Sequence, residues 1–249
     1  RDSAFAIRSD HLGRYGQAVL QTDNAKEGRA LWIHHGYGKG HSHHDALNIG
    51  LTAKNIHMLP DLGYPEFTGT WPKRGAWTSN TISHNTVVVD DGPTAGSPGG
   101  KLHLFSEALP LRVMDVSSPN AYEGLKTYRR TLALVDVSDT DSYVLGVFRV
   151  RGGSTHRLSY HGPAEAASVE GLDLQRQSEG TYAGPDVPFA QLDDRLRRSG
   201  HSYLYSVERS SGVVDGGFTV DWKAEDLRGR IAEGAEPGLI VVDTSTSPR

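Results

Sequence analysis

The feature of this sequence that most constrains its fold is a series of short apolar runs separated by turn-forming residues. The runs are rich in Val, Leu, Ile, Tyr and Phe and are bounded by Gly, Asp, Asn, Ser or Pro, the pattern of strands alternating with turns. They lie at residues 4–7, 18–21, 30–33, 87–89, 109–116, 131–137, 143–150, 202–207, 218–222 and 239–242. Neither a βαβ rhythm nor a phosphate-binding glycine loop accompanies them. The sequence therefore predicts an all-β fold, an antiparallel multi-stranded β-sandwich with at most a short helix.

One segment departs from the strand pattern. Leu192 and Leu196 lie four residues apart within residues 189–198, a spacing that predicts a short helix. Strand-like sequence resumes directly after the Gly- and Pro-rich residues 92–100, and no internal repeat is present. We therefore expect one continuous domain over residues 1–249. The chain begins with Arg rather than Met, and we expect it to be a processed or excised piece of a longer protein.

The composition excludes several classes of function. The formal net charge is −4, without the basic excess typical of nucleic-acid-binding domains, so we expect no nucleic-acid partner. No apolar run approaches the roughly 18–20 residues that a membrane helix requires, so we expect no membrane span. Cysteine is absent. Disulfides, thiolate metal ligands and thiol nucleophiles are therefore excluded.

Histidine is concentrated in one short segment. Five of the 12 histidines lie between residues 34 and 44, namely His34, His35, His41, His43 and His44. The segment leads into a strand-like run at residues 46–51. If it continues that strand, His41, His43 and Asp45 share one face and His44 points to the other. Two imidazoles spaced in this way can share a metal ion or a substrate.

Further candidate ligands follow this segment in the sequence. Asp61 lies at a predicted turn, and His84 immediately precedes the strand-like run at 87–89. Two imidazoles and one carboxylate leave an open coordination position, a donor set typical of zinc sites. A His-x-His pair alone is more often structural. The additional Asp and His favour a metal-binding or catalytic role for the group.

Three ordered motifs resemble the heparinase II/III-like domain of polysaccharide lyases. They are GHSHHDALN at residues 40–48, DLGY at 61–64 and SHNTVVVD at 83–90. The runs YRRTL at 128–132 and VFRVRGG at 147–153, followed by His156, are also similar to that family. The resemblance covers about residues 38–161. The remaining residues are consistent with the family's β-sandwich but contain no distinctive motif.

The resemblance implies the β-sandwich part, of the supersandwich type, of a two-part enzyme. The family's N-terminal α/α toroid is absent from this chain, which contains no long helical region. The implied reaction is β-elimination within a uronic-acid-containing polysaccharide, heparin/heparan sulfate-like or alginate-like. The implied partners are this acidic polysaccharide and the missing toroid. A bacterial origin and a periplasmic or secreted location are also implied.

The resemblance further assigns roles to individual residues. His41 matches the sandwich histidine that faces the substrate, and is the candidate catalytic residue. His43, Asp61 and His84 match the ligands of a structural zinc ion. In the family, the proton-transferring Tyr comes mainly from the toroid. The isolated chain is therefore expected to be weakly active or inactive.

Weaker assignments concern the surroundings of these residues. Asp45 and Asn48 are expected to orient the metal-bound imidazoles, a support that such histidines commonly need. Four aromatic residues flank the motifs on Gly- and Pro-rich segments and could stack on sugar rings: Tyr37, Tyr64, Trp71 and Trp77. Hydrophobic anchoring of those loops explains the four equally well.

Two other functions stay open on the sequence. One is a noncatalytic carbohydrate-binding or interaction domain, although an unused set of polar residues would be costly to bury. The other is a self-sufficient metal-dependent hydrolase or oxygenase, which a two-His-one-carboxylate set permits. The ordered lyase-like motifs outside that set argue against the second alternative.

Overall fold

A computed structural model describes residues 8–22, 28–36, 42–63, 73–96, 98–138, 141–211, 216–225, 229, 231 and 237–243. The strands within these ranges are β1 Asp10–Leu12, β2 Gln17–Gln21, β3 Arg29–His34, β4 Ile49–Ala53, β5 Ile56–Leu59, β6 Val87–Val89, β7 Lys101–Ser106, β8 Leu111–Ser117, β9 Thr127–Asp136, β10 Ser142–Arg151, β11 His156–Leu158, β12 Ser168–Glu170, β13 Gln175–Arg176, β14 Glu208–Arg209, β15 Phe218–Lys223 and β16 Gly238–Asp243. The helical elements are short: α1 Asp194–Ser199, a π-helical turn at Arg74–Thr78, and 3-10 turns at Thr81–Ser83 and His201–Tyr203.

All strand pairs within the described ranges are antiparallel. One sheet has the order β1-β2-β3-β4-β5 and a second has the order β10-β9-β8-β7. Smaller sheets pair β11 with β6, β13 with β14, and β12, β15 and β16 with one another. Of the helices in the described ranges, none has the length and apolar character needed to cross a bilayer.

The two large sheets bury their inner faces against each other. Alternate residues of β2 and β3 are buried, as expected for strands with one face toward a core. Leu20 and Leu31 join Met114 and Leu132, from β8 and β9, in one apolar cluster, and all four are 0% exposed. This shared cluster defines a β-sandwich. The predicted fold class is thereby confirmed.

Most of the predicted strands are present with small shifts of their ends. The predicted helix is also present, although shorter than expected, because α1 begins only after its N-cap Asp193. Residues 202–207 were expected to form a strand, and this was wrong: the chain makes a 3-10 turn at His201–Tyr203 instead. The residues of this turn, His201, Ser202 and Tyr203, are buried. Their burial depends on tertiary packing, which the local pattern of apolar residues does not reveal. The run at 4–7 lies outside the described residues.

Three loops meet beside the ends of β3 to β6. The loop before β4 is held by backbone hydrogen bonds from Leu47 N–H to His34 C=O, 2.8 Å, and from His34 N–H to Asn48 C=O, 2.9 Å. The Asn85 side chain donates to the carbonyls of Ile49 and Pro60, both at 3.1 Å. The sandwich thus brings residues 42–48, 60–63 and 80–86 together.

Candidate metal centre

Three side chains predicted from the sequence converge at the meeting of these loops. The candidate ligand atoms of His43, Asp61 and His84 all lie within 4.8 Å of one another. His43 Nδ1 is 3.1 Å from His84 Nε2, and His84 Nε2 is 3.6 Å from Asp61 Oδ2. His84 is fully buried, whereas the other two are partly exposed. We call these three residues the triad.

The position of His84 follows from the turn that precedes it. Asn80 caps the 3-10 turn Thr81–Ser83 with its side chain. The Asn80 carbonyl oxygen lies 2.7 Å from His84 Nδ1. A carbonyl can only accept a hydrogen bond, so Nδ1 carries a proton. The other ring nitrogen, Nε2, faces the other two members of the triad.

His43 is held in a form suited to binding a metal. Burial lowers the pKa of His43, and the neighbouring His84 lowers it further, against the opposing effect of Asp45 and Asp61. A histidine with a lowered pKa is neutral at physiological pH. Neutral imidazole is the form that ligates a metal ion.

The Asp61 carboxylate is oriented by the side-chain amide of Asn48, and a hydrogen bond from Asn85 fixes which way that amide points. The Asn85 backbone N–H donates to Asn48 Oδ1 at 2.9 Å. Asn48 Nδ2 must then face the other way, and it donates to Asp61 Oδ2 at 2.7 Å. The Gly63 N–H donates to Asp61 Oδ1, also at 2.7 Å. Both carboxylate oxygens are therefore fixed beside the two imidazoles.

The donor chemistry and spacing of the triad fit a zinc ion. Zinc binds imidazole nitrogen and carboxylate oxygen at about 2.0–2.2 Å in tetrahedral sites, which separates neighbouring donors by roughly 3.3–3.5 Å. The two donor separations to His84 Nε2, 3.1 and 3.6 Å, lie close to that spacing. A cation between these atoms would also balance the charge of the carboxylate.

Two buried residues without a role assigned from the sequence hold the loops of the triad in place. Asn85 is 0% exposed and uses its side chain and backbone on three neighbouring segments. Arg130, on β9, is 1% exposed and donates to the carbonyls of Leu47 at 3.0 Å and Asn85 at 2.6 Å. Burial lowers the pKa of Arg130, and Tyr160 and Tyr128 oppose that effect. The inward alternation along β9 was the signal that could have identified Arg130.

Residues 42–48 do not form the expected strand, so the expected shared face is absent. The Asn48 N–H donates to the Asp45 carbonyl at 2.9 Å, and Leu47 has a φ of 57°. This turn sends consecutive side chains in different directions. His44 Nδ1 meets the Thr94 carbonyl, away from the triad.

The two residues expected to orient the triad imidazoles make other contacts. Asp45 lies 2.9 Å from His34 Nδ1, and Asn48 holds the Asp61 carboxylate. Burial acts to raise the pKa of Asp45, but the hydrogen bond and charge of His34 outweigh it and lower that pKa. Asp45 therefore stays ionised beside His34 over the physiological range.

Four other candidates lie outside the described residues. They are the catalytic candidate His41 and the possible sugar-stacking residues Tyr37, Tyr64 and Trp71. Trp77 lies within the described residues, and its ring stacks on Tyr203 at 5.8 Å. The roles of the first four stay predictions.

Residues 8–218 match a known protein family, Heparinase II/III-like, C-terminal. A curated relative is the alginate lyase of Stenotrophomonas maltophilia (strain K279a), which is 27% identical over 161 residues. That alignment covers 58% of this chain and 20% of the relative. This chain therefore spans about a fifth of that relative's length.

Two solved structures are similar to this chain in fold. A heparinase III gene product superposes with a TM-score of 0.57 at 14% identity, covering 95% of this chain and 42% of that chain. Heparan sulfate lyase HepC from Pedobacter heparinus superposes with a TM-score of 0.50 at 15% identity, covering 89% of this chain and 30% of that chain. At these identities the likeness concerns the fold.

Proposed function

Because the chain belongs to the heparinase II/III-like C-terminal family, we propose that it is the β-sandwich part of a lyase that cleaves a uronic-acid-containing polysaccharide by β-elimination. The observation that carries this proposal is the triad. His43, Asp61 and His84 come from three separate loops, yet their ligand atoms converge within 4.8 Å inside the matched region. Burying such a polar group costs free energy unless its members are hydrogen-bonded or bind a metal ion.

We propose that the triad holds a zinc ion with a structural role. When bound, the ion would supply positive charge that fixes the three loops relative to one another. Hydrogen bonds from neighbouring residues would keep the site in place. Asn80 and Asn48 would orient the ligand side chains His84 and Asp61. Arg130 would hold the loop that contains Leu47. His41 lies two residues before His43 in the sequence. An ion bound to His43 would therefore restrain the chain next to the candidate catalytic residue.

The proposed reaction needs three groups. The uronate carboxylate must be neutralised, a base must remove the proton on the adjacent carbon, and an acid must protonate the departing glycosidic oxygen. We propose that His41 faces the substrate and takes part in this proton transfer. The remaining groups, including a tyrosine, would come from an N-terminal α/α toroid, in keeping with the much greater length of the relatives.

The names of the relatives support an acidic polysaccharide as the substrate class. One is an alginate lyase and another is a heparan sulfate lyase, and both polymers contain uronic acid. We propose that the protein that contains this chain cleaves a substrate of this kind. We also propose that it acts in the periplasm or after secretion. The isolated chain would then be weakly active or inactive.

The test measures the unsaturated uronate product by its ultraviolet absorbance. Alginate and heparan sulfate are each incubated with the 249-residue chain, alone and joined to an N-terminal toroid domain. Elimination only by the two-domain protein, and its loss in His41→Ala, supports the proposal. Hydrolysis without an unsaturated product, dependent on added zinc, would instead support a self-sufficient hydrolase.

A further inference from the structure

The sheet β10-β9-β8-β7 presents large apolar side chains on the face that points away from the core of the sandwich. Side chains alternate along a strand, and β9 buries Leu132 and Leu134 in the core, so Ala133 between them points to the other face. We call that other face the outer face. Its exposed apolar residues, from 40% exposed for Val147 to 57% for Leu145, are Leu104, Leu111, Tyr143, Leu145 and Val147.

The strand register makes these residues one continuous surface. Leu111, Val135 and Tyr143 form one row across the sheet, and Val113, Ala133 and Leu145 form the next row. A third row begins with Leu104 on β7 and ends with Val147 on β10. Directly opposed residues of antiparallel strands have Cα atoms about 4.5–5.5 Å apart. The three rows are therefore contiguous.

The outer face is large enough for a stable protein interface. Three rows, two residues apart at about 3.4 Å per residue, extend over about 20 Å, and four strands about 4.8 Å apart extend over about 19 Å. The apolar rows thus cover roughly 400 Å² of the sheet plane, and the charged residues at their ends extend it to roughly 600 Å². Protruding side chains bring the accessible area near the about 800 Å² per partner of a standard interface. An apolar patch of this size marks an interaction surface.

Each edge strand of this sheet has opposite charges at its two ends. On β7, Lys101 is the first residue and Glu107 follows the last. On β10, Asp141 precedes the first residue and Arg151 is the last. All four side chains are exposed. Because β7 and β10 run in opposite directions, the two cations lie at one end of the outer face and the two carboxylates lie at the other.

The other charged side chains near the outer face do not cancel this separation. Those that are paired or balanced are the ion pairs Arg129–Asp115 and Arg112–Asp136, and Glu123 and Lys126 in the loop before β9. Arg149, on β10, adds a further positive charge to the basic end. The outer face is thus apolar in the middle, positive at one end and negative at the other.

The charged ends are placed symmetrically about one line across the sheet. Residues 141 and 151 are equally far along the chain from Gly146, and residues 101 and 107 are equally far from Leu104. Leu104 lies in the same row as Val147, which is the neighbour of Gly146. A single two-fold axis along this line therefore exchanges the ends of both edge strands.

We propose that the outer face binds the outer face of a second copy of this chain about that axis. A two-fold interface requires a self-complementary surface. Rotation about the axis lays β10 on β10 and β7 on β7, with their ends reversed. Arg151 of each copy then meets Asp141 of the other copy. Lys101 of each copy likewise meets Glu107 of the other. These matched ends favour a copy of the chain over an unrelated partner as the occupant.

The centre of the proposed interface is apolar. Leu145 of each copy lies over Val147 of the other, because the two residues flank the axis at Gly146. Burial of this centre favours association, and the charges at the rim set the orientation of the two copies. No member of the triad lies in the interface, so the proposal is independent of the zinc site and of the lyase reaction.

Sedimentation equilibrium of the 249-residue chain tests this proposal. The wild type is expected to form a species of twice the 27.0 kDa chain mass. Leu145→Glu is expected to weaken the dimer at least about 100-fold, because it places an unpaired charge in a central contact that excludes water. Leu12→Glu is the matched control. It makes the same substitution at a leucine that is 42% exposed on β1, in the other large sheet, and is expected to remain dimeric.

Two double variants test the direction of the axis. Lys101→Glu/Arg151→Glu makes both ends of the outer face negative, and Glu107→Lys/Asp141→Lys makes both ends positive. Each variant alone is expected to dimerise at least about tenfold more weakly than the wild type, since like charges then meet. Their equimolar mixture is expected to form mixed dimers with wild-type affinity, because opposite charges meet again at every contact. That recovery also shows that both variants are folded.

Three results would overturn the proposal. The first is a wild type that stays monomeric at about 100 μM, above the micromolar upper end for interfaces of standard size, including the case in which the outer face binds an N-terminal domain of a longer protein. The second is a Leu145→Glu variant that dimerises as tightly as the wild type. The third is a mixture of the two charge variants that associates no better than either alone. These measurements need neither metal nor substrate, so their failure is distinct from a failure of the proposed function.

Discussion

His84 Nδ1 lies 2.7 Å from the carbonyl oxygen of Asn80, and this hydrogen bond determines what the other side of the imidazole can do. Nδ1 must carry a proton, so Nε2 is the ring nitrogen that is left to face His43 and Asp61. The ring is 0% exposed and cannot turn toward water. The residues that hold this geometry are therefore the natural targets for mutations that test the proposed zinc site.

The Asn48→Ala variant is expected to bind zinc about 10- to 100-fold more weakly, the usual effect of removing a residue that orients a ligand. The loss follows because Asn48 donates to Asp61 Oδ2 at 2.7 Å. Competition with a chromophoric chelator measures the affinity. Asn120→Ala is the matched control, since Asn120 is exposed and takes no part in the hydrogen bonds that hold the triad. Equal affinities of Asn48→Ala and the control would show that the amide does not support the site.

Arg130→Met is expected to lower the free energy of unfolding by about 3 kcal/mol, because it leaves buried carbonyls of Leu47 and Asn85 without their charged donor. Urea denaturation measures the change. Arg149→Met removes an exposed arginine on the neighbouring strand, and is expected to change stability by less than about 0.5 kcal/mol. A similar small effect of both substitutions would contradict the role given to Arg130.

The stability of the protein is expected to fall as the pH decreases from about 6.5 to about 4. Burial, followed by the charges of His11 and His34, lowers the pKa of His35 to about 4. Neither ring nitrogen of His35 has a hydrogen-bond partner among the described residues. In this pH range the unfolded chain binds a proton at His35 that the folded chain does not, so acid favours unfolding.

His35→Phe tests this pH dependence, since it removes the titrating group from a site that is 2% exposed. Relative to this variant, the wild type is expected to lose up to about 3 kcal/mol more between neutral pH and pH about 4, the equivalent of the pKa shift. His57→Phe at an exposed position is the control. Parallel stability–pH curves for the wild type and His35→Phe would contradict the buried neutral histidine.

The strand positions could be predicted from the sequence because the strands that pack against the core contain short runs of apolar residues. The triad could be read because its three residues lie in recognisable motifs. The geometry of residues 42–48 could not, since the left-handed Leu47 and its turn depend on contacts with His34 and Asn48. Arg130 also escaped assignment: a charged residue on a strand usually faces solvent, and only the assembled loops provide the carbonyls that make its burial favourable.

The most direct test of the central claim is elemental analysis of the purified chain, by inductively coupled plasma mass spectrometry, beside His43→Ala and His44→Ala. The two histidines are adjacent, but only His43 faces His84, whereas His44 meets the Thr94 carbonyl. The account predicts about one zinc per chain in the wild type and His44→Ala, as expected for a single site, and its loss in His43→Ala. A wild type without zinc, or a His43→Ala variant that retains it, would contradict the account.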